Sequence, residues 1–278
     1  MKRDLSLEAL RRAIEPLGSA LVAFSGGIDS ALVLAVAAER DEAPTVALTA
    51  VSPSLAAHEL QGARAFARGL GVRHILVESR ELDDPDYASN PTNRCYFCKR
   101  ELYARCFETA ASLSFDHVLD GFNADDERDH RPGRQAAIER KIRSPLAEAG
   151  LTKAAVREAA QALGLPIWDK PSSPCLSSRL PYGTPVTIER LAQIEAAEAA
   201  MRALGFYEFR VRHLGEAARI EVAEAELPRL LNPELRGQVE EAVRGVGYRS
   251  VAVDPRPFRS GRLNEGLITL GGRQQPAV

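Results

Sequence analysis

The chain predicts an α/β fold: a parallel β-sheet with helices on both faces, followed by a smaller C-terminal α+β domain. Three observations carry this expectation. Short apolar runs alternate with longer helical patterns through the first half of the sequence, the order expected of parallel strands joined by crossover helices. The composition shifts at Asp169-Lys170-Pro171-Ser172-Ser173-Pro174-Cys175, where two prolines and two serines interrupt regular structure. Beyond it the order becomes a helix followed by strands.

The elements follow in turn. Strand-like runs are Leu21–Phe24, Thr45–Val51, Arg73–Val77 and Asp116–Asp120. Helical patterns span Ile28–Glu39, Leu55–Leu70, about Phe97–Ser112, and Lys153–Leu163, which Gly164 and Pro166 terminate. In the second domain, Ile188, Leu191, Ile194, Met201 and Leu204 recur near helical spacing over Thr187–Leu204. Phe206–Leu214, Ala218–Ala223 and Tyr248–Val253 read as strands, and Leu227–Val243 as a helix broken near Pro233. The expected division is residues 1–170, 171–257, and a disordered tail over 258–278.

At 278 residues the chain is long enough for one large or two medium domains. Its 45% hydrophobic and 27% charged residues belong to a soluble globular protein rather than a disordered one. A net charge of −2 supplies no basic field for nucleic acid. The longest apolar stretch, Ala31–Ala38, is too short to span a bilayer. The N-terminus lacks a signal-peptide pattern, and four cysteines are too few for a disulfide framework at this length. A cytoplasmic location is expected, with no membrane partner.

The richest stretch is Ser25-Gly26-Gly27-Ile28-Asp29-Ser30, between the run Leu21–Phe24 and the helix that follows. Adjacent glycines let successive N–H groups converge on an anion, and the helix start adds about half a positive charge. Ser25 and Ser30 supply hydroxyls. Asp29 cannot attract phosphate itself, but a divalent ion between it and a pyrophosphate accounts for it. A strand–turn–helix junction with Asp29 as a mere cap is the competing reading. Neither G-x-x-x-x-G-K-[ST] nor G-x-G-x-x-G occurs at this turn. The pattern resembles the S-G-G-x-D-S signature of the PP-loop ATP pyrophosphatases, which implies ATP cleaved to AMP and pyrophosphate, with Mg²⁺.

Cys95-Tyr96-Phe97-Cys98 is a C-x-x-C pair. It suits a redox dithiol, half a zinc site, or part of a three-cysteine iron–sulfur site with Cys175 as the distant ligand. No second ligand pair follows closely, and the pair is not at the first βα turn of a thioredoxin-like unit. Two helix-start cysteines without a ligand remain an alternative. Arg179, four residues beyond Cys175, would lower that thiol's pKa if the two met in space. Cys106 falls inside a helical pattern and reads as filler.

Together these segments resemble the LarE sulfur transferase family. The resemblance runs through Ser25–Ser30, Asn93–Lys99, Asp120–Asp126, Ser144-Pro145-Leu146, Lys170–Arg179, Arg210-Val211-Arg212 and Ala218–Glu221, covering about residues 5–255. It implies a Rossmann-like sheet of the adenine nucleotide alpha hydrolase type. It also implies adenylation of a pyridinium dicarboxylate mononucleotide and conversion of its carboxylates to thiocarboxylates for a nickel-pincer cofactor. Family members with one cysteine at the Cys175 position give up that sulfur; those with three hold a [4Fe-4S] cluster that carries sulfide. Cys95, Cys98 and Cys175 match the second kind.

By this resemblance, Ser25, Gly26, Gly27, Asp29 and Ser30 hold pyrophosphate and Mg²⁺, while Gly121, Asn123 and Asp126 flank the nucleotide. Arg210 and Arg212 take a substrate phosphate. Cys175, Arg179, Glu198 and Glu221 lie near sulfur transfer, although a solvated role suits either glutamate equally from sequence alone. A sulfide donor and a homo-oligomer, hexameric by analogy, complete the expectation. His58, His74, His117 and His213 read as structural, His130 as part of a polar loop, Trp168 as core or a domain-junction wall, and Arg143 as either an ATP contact or a cap. A PP-loop tRNA thiolase is the runner-up, and a non-catalytic nucleotide or iron–sulfur sensor the third reading.

Overall fold

A computed structural model describes residues 5–127 and 132–259. His130 and the stretch 260–278 lie outside these. The described chain divides into two units, Met1–Cys175 with Pro185–Thr187, and Leu176–Thr184 with Ile188–Val278.

The first unit contains helix α1 (Leu5–Ile14), β1 (Ala20–Ala23), α2 (Ile28–Ala37), β2 (Thr45–Val51), α3 (Ala57–Gly69) and β3 (Arg73–Glu78). It continues with the single turn α4 (Pro85–Ala88), α5 (Arg94–Ser112), β4 (His117–Leu119), α6 (Pro132–Glu139), a second single turn α7 (Pro145–Glu148), and α8 (Lys153–Ala162). Its described strands form one sheet in the order β3-β2-β1-β4, with every pair parallel. A parallel sheet must be covered on both faces, and the side-chain alternation of β1 shows that it is. Ala20 and Val22 join a core with α1, α2 and α8; Leu21 and Ala23 join another with α5 and α6.

The α2 helix is buried nearly all round, from Ile28 to Ala37, which fits its almost unbroken run of Leu, Val and Ala. Such a helix has no polar face to orient it. Its direction is set by the strand before it and the layers around it. Thr152 caps α8 by accepting from the Ala155 N–H at 3.3 Å. The expected sheet strands are all present, the fourth trimmed to His117–Leu119. The α5 helix begins earlier than expected, at Arg94, which places Cys95 and Cys98 three residues apart on one helical face. Trp168 is exposed rather than core.

The second unit contains α9 (Ile188–Ala203), β5 (Phe209–Leu214), β6 (Ala217–Val222), the turn α10 (Leu227–Leu230), α11 (Pro233–Gly245) and β7 (Ser250–Val253). Its sheet runs β5-β6-β7, antiparallel and then parallel. Met201, Val211, Ile220, Val239 and Val243 build its core. The break near Pro233 has a physical cause: Asn232 accepts from the Glu234 and Leu235 N–H groups, and proline opens the next helix. The chain remains attached past Pro255, since the Phe258 N–H donates to the Val222 carbonyl.

Leu34 is completely buried at the centre of α2. Leu34→Ala is expected to lower the unfolding free energy by about 2–5 kcal/mol. Urea unfolding followed by circular dichroism measures this, and a loss below about 1 kcal/mol would contradict the all-round burial of α2.

Candidate active site

The loop Ser25–Ser30 leaves the end of β1 and enters α2. Gly26 has φ +75°, a left-handed conformation, and a Cβ there would meet the Cβ of Ala63 at 3.0 Å. The loop is internally bonded. Ser25 Oγ and Ser30 Oγ lie 3.2 Å apart, the Gly27 N–H donates to Ser25 Oγ at 3.3 Å, and Ser30 Oγ donates to the Gly27 carbonyl at 3.1 Å. No side chain caps the start of α2. The positive end of the helix dipole and its leading N–H groups therefore face the loop.

Gly121, just beyond β4, packs against that same helix start. A Cβ at Gly121 would lie 2.6 Å from the backbone nitrogen of Ser30. Only glycine permits this approach, because the obstacle is backbone and cannot swing away. The turn after Gly121 then reaches Asp29: Asn123 Nδ2 donates to Asp29 Oδ1 at 3.1 Å. Asn123 Oδ1 accepts from the Asp125 and Asp126 N–H groups, and Asp126 Oδ2 accepts from the Asn123 N–H. Asn123 and Asp126 are buried, so only Asp125 fits a solvated acidic loop.

Asp29 has a second partner. Lys153, at the start of α8, places its Nζ 2.5 Å from Asp29 Oδ2, while its N–H donates to Asp125 Oδ2 at 2.7 Å. An ammonium group thus stands on the carboxylate expected to hold a divalent ion. Arg143 is bound by Glu148 through both Nε and Nη2, which favours the capping alternative.

Two further groups steady the loop. Thr49 Oγ1 donates to the Phe24 carbonyl at 2.6 Å and lies 2.8 Å from His74 Nε2. Lys170 Nζ donates to the Gly26 carbonyl at 2.9 Å and to Glu59 Oε2 at 2.6 Å. Burial alone would raise the Glu59 carboxyl, but hydrogen bonds from His58, Lys170 and Ser173 and the Lys170 charge hold it down at about 2. Lys153, Lys170, Glu59 and Thr49 were given no role from the sequence. Lys170 opens the segment Lys170–Arg179 that carries the family resemblance, and no local pattern singles it out within that segment.

The cysteines divide. Cys106 is fully buried in the α5 core, and burial lifts its thiol to about 12. Cys95 is exposed; Cys98 and Cys175 are half-buried. Burial pushes the Cys98 thiol up strongly, and the charges of Cys175, Glu81 and Cys95 push the same way. Among the described residues, no three Cys, His, Asp or Glu side chains are gathered around one ion position.

In the second unit, Glu198 and Glu221 are buried, which removes the solvated reading for both. Glu198 receives Arg179 Nε at 2.8 Å and Nη2 at 2.9 Å, and also the Val211 N–H. Arg179 and Glu198 thus form a bidentate, buried pair. Glu221 accepts Arg212 Nε at 2.9 Å and lies 3.2 Å from Arg219 Nη2. Arg210 is buried, donates to the Phe209 carbonyl at 2.6 Å and sits 4.6 Å from the Phe258 ring centroid. Burial and the nearby Arg179 and Arg212 charges push its guanidinium down to about 10. Arg179, Arg210 and Arg212 are thus buried in one charged group, in which Glu198 and Glu221 pair with two of the three guanidinium ions.

Residues 3–91 match the asparagine synthase family model. A pyridinium-3,5-bisthiocarboxylic acid mononucleotide synthase of Lactiplantibacillus plantarum is 39% identical over 258 residues, 92% of each chain. An uncharacterized Synechocystis protein, slr1717, is 45% identical over 95% of this chain and 98% of its own length. The uncharacterized Methanocaldococcus jannaschii protein MJ0830 is 28% identical over 86% of this chain and 90% of its own. Among the described residues, no helix is long and apolar enough to cross a membrane.

Glu59 sets a pH dependence. Its folded pKa of about 2 lies below the ordinary 4.5. Its contribution is therefore complete above pH 4.5 and lost as pH falls toward 2, by at most about 3 kcal/mol. Melting temperatures of the wild type and Glu59→Gln should converge across that window, and parallel curves would show that Glu59 is not held this way.

Proposed function

The chain belongs to the LarE family of ATP-using PP-loop enzymes, and we propose that it converts the carboxylates of a pyridinium-3,5-dicarboxylate mononucleotide to thiocarboxylates for a nickel-pincer cofactor. The end-to-end match to the pyridinium synthase is the observation that carries this reading. The loop geometry supports it, because both halves of the proposed chemistry have residues suited to them.

A carboxylate is a poor electrophile, and oxide is a poor leaving group. One carboxylate oxygen attacks the α-phosphorus of ATP and pyrophosphate departs. Sulfide then adds to the acyl carbon, and AMP leaves with that oxygen. Gly26 and Gly27 with the start of α2 bind the departing pyrophosphate, and Ser25 and Ser30 exchange their mutual hydrogen bond for phosphate oxygens. Asp29, steadied by Asn123, would hold Mg²⁺, which would screen the phosphate charge, and Lys153 is placed to meet phosphate. Gly121 and Asp126 shape the nucleotide side. Arg210 and Arg212 receive the substrate phosphate, with Glu221 orienting Arg212, and Glu198 holding Arg179 and the Val211 N–H between them.

Cysteine thiolates are soft donors suited to iron. Cys95, Cys98 and Cys175 would hold a [4Fe-4S] cluster, whose chemistry is to keep sulfide deprotonated and nucleophilic at neutral pH. Cys175 is then a ligand and is not consumed. The expected setting is cytoplasmic, with a sulfide donor and a homo-oligomeric state.

Pyrophosphate release from ATP should depend on added pyridinium dicarboxylate mononucleotide. No release with this acceptor, together with tight and salt-sensitive tRNA binding, would overturn the reading in favour of a tRNA thiolase. Anaerobic reconstitution should give the broad visible absorption of a thiolate-held iron–sulfur cluster. Replacement of Cys95, Cys98 or Cys175 by Ala should abolish that absorption, whereas Cys106→Ala should retain it. Loss of one sulfur from Cys175 after turnover, read by mass spectrometry, would replace the cluster with a sacrificial mechanism.

A further inference from the structure

Lys170 touches two parts of the first unit at once. Its ammonium donates to the carbonyl of Gly26, inside the phosphate loop, and to Glu59 on α3. Both partners are largely shielded: the Lys170 side chain is 21% exposed and that of Glu59 11%. Glu59 also takes hydrogen bonds from Ser173 and His58. On the other side, Arg157 of α8 donates to the carbonyls of Trp168 and Lys170, at 3.0 and 2.9 Å. Residues 168–173, which lead directly into Cys175, are thus held from both α3 and α8.

The contact with Gly26 has a geometric consequence. The peptide joining Gly26 to Gly27 is trans and planar, so its C=O and N–H point in opposite directions. Fixing the carbonyl on Lys170 fixes the Gly27 N–H on the other side, toward Ser25 Oγ. A glycine pair gives the backbone unusual freedom to turn this peptide over. The ammonium removes that freedom.

We propose that Lys170 is a positioning residue that joins the two half-sites, orienting the Gly27 N–H for phosphate and, through Glu59, seating the segment that carries Cys175. This deepens the functional reading above and rests on it for the roles of the loop and of Cys175. A charged pair between an ammonium and a well-shielded carboxylate keeps its direction better than a solvated one, because water competes less for either partner. The segment 170–175 has no helix or strand of its own. Its placement therefore depends on side-chain ties of this kind.

Hydrogen exchange on the full-length protein, handled anaerobically and read by mass spectrometry, tests this. Without ligand, Lys170→Met should speed exchange at least about threefold in both 25–30 and 169–176, and leave α5 and β5 unchanged. Glu59→Gln should act in the same two segments with smaller effect, and Lys170→Arg should restore protection in both. With Mg·ATP, the wild type should gain protection in both segments, and Lys170→Met only in 25–30. Faster exchange across the whole chain in both variants would reduce Lys170 to a folding residue and overturn the proposal. So would an unchanged 169–176 segment, or an equal ATP response there in Lys170→Met. Failure of Mg·ATP to protect 25–30 in the wild type would instead count against the functional reading, while the ligand-free comparison still decides the role of Lys170.

Discussion

The contact between Gly121 and the start of α2 is the constraint on which the first unit's site depends. The end of β4 comes so close to the helix that no side chain fits between them. That closeness brings Asn123 within hydrogen-bonding distance of Asp29, and Asp125 within reach of the first N–H of α8. The sheet order makes it possible, since β4 lies directly beside β1 and both end on the same side. The glycine loop, the acidic turn and Lys153 are consequences of one short distance between a strand end and a helix end.

Much of this was legible in the sequence where the cause is local. The loop Ser25–Ser30 announces itself because strand, glycine pair and helix are contiguous. Pro233 marks its own helix start. The strands β1 and β2 were readable because buried parallel strands are continuous apolar runs, whereas the half-exposed β3 shows only Ile75-Leu76-Val77. The helix α1 was not among the expected elements, although Leu7, Leu10 and Ile14 recur at helical spacing; the charged residues between them obscure the pattern. The turns α4 and α7 are too short for periodicity to register.

The partnerships of the site were the illegible part. Lys153 meets Asp29 across 124 residues and Asn123 meets it across 94. No local pattern encodes such pairs. The same holds for Glu198 and Glu221. A glutamate in isolation reads as a surface residue, and only the arginines that meet it explain its burial. The attachment of Phe258, expected to lie in the tail, was also hidden, because its backbone bond to β6 and its ring contact with Arg210 are both long-range.

Arg210 carries a consequence for selectivity. Its guanidinium is buried beside Arg179 and Arg212, whose charges press on it although Glu198 and Glu221 pair with them. An anion that arrives there gains its own contacts and also relieves that crowding; a neutral molecule of the same outline gains only the contacts. If Arg210 receives the substrate phosphate as proposed, discrimination by charge precedes any match of shape. A phosphate monoester that loses its second proton near pH 6 would relieve the crowding more fully as the dianion. Binding of such a substrate would then sharpen on the alkaline side of that value, without any residue of the protein changing its own protonation.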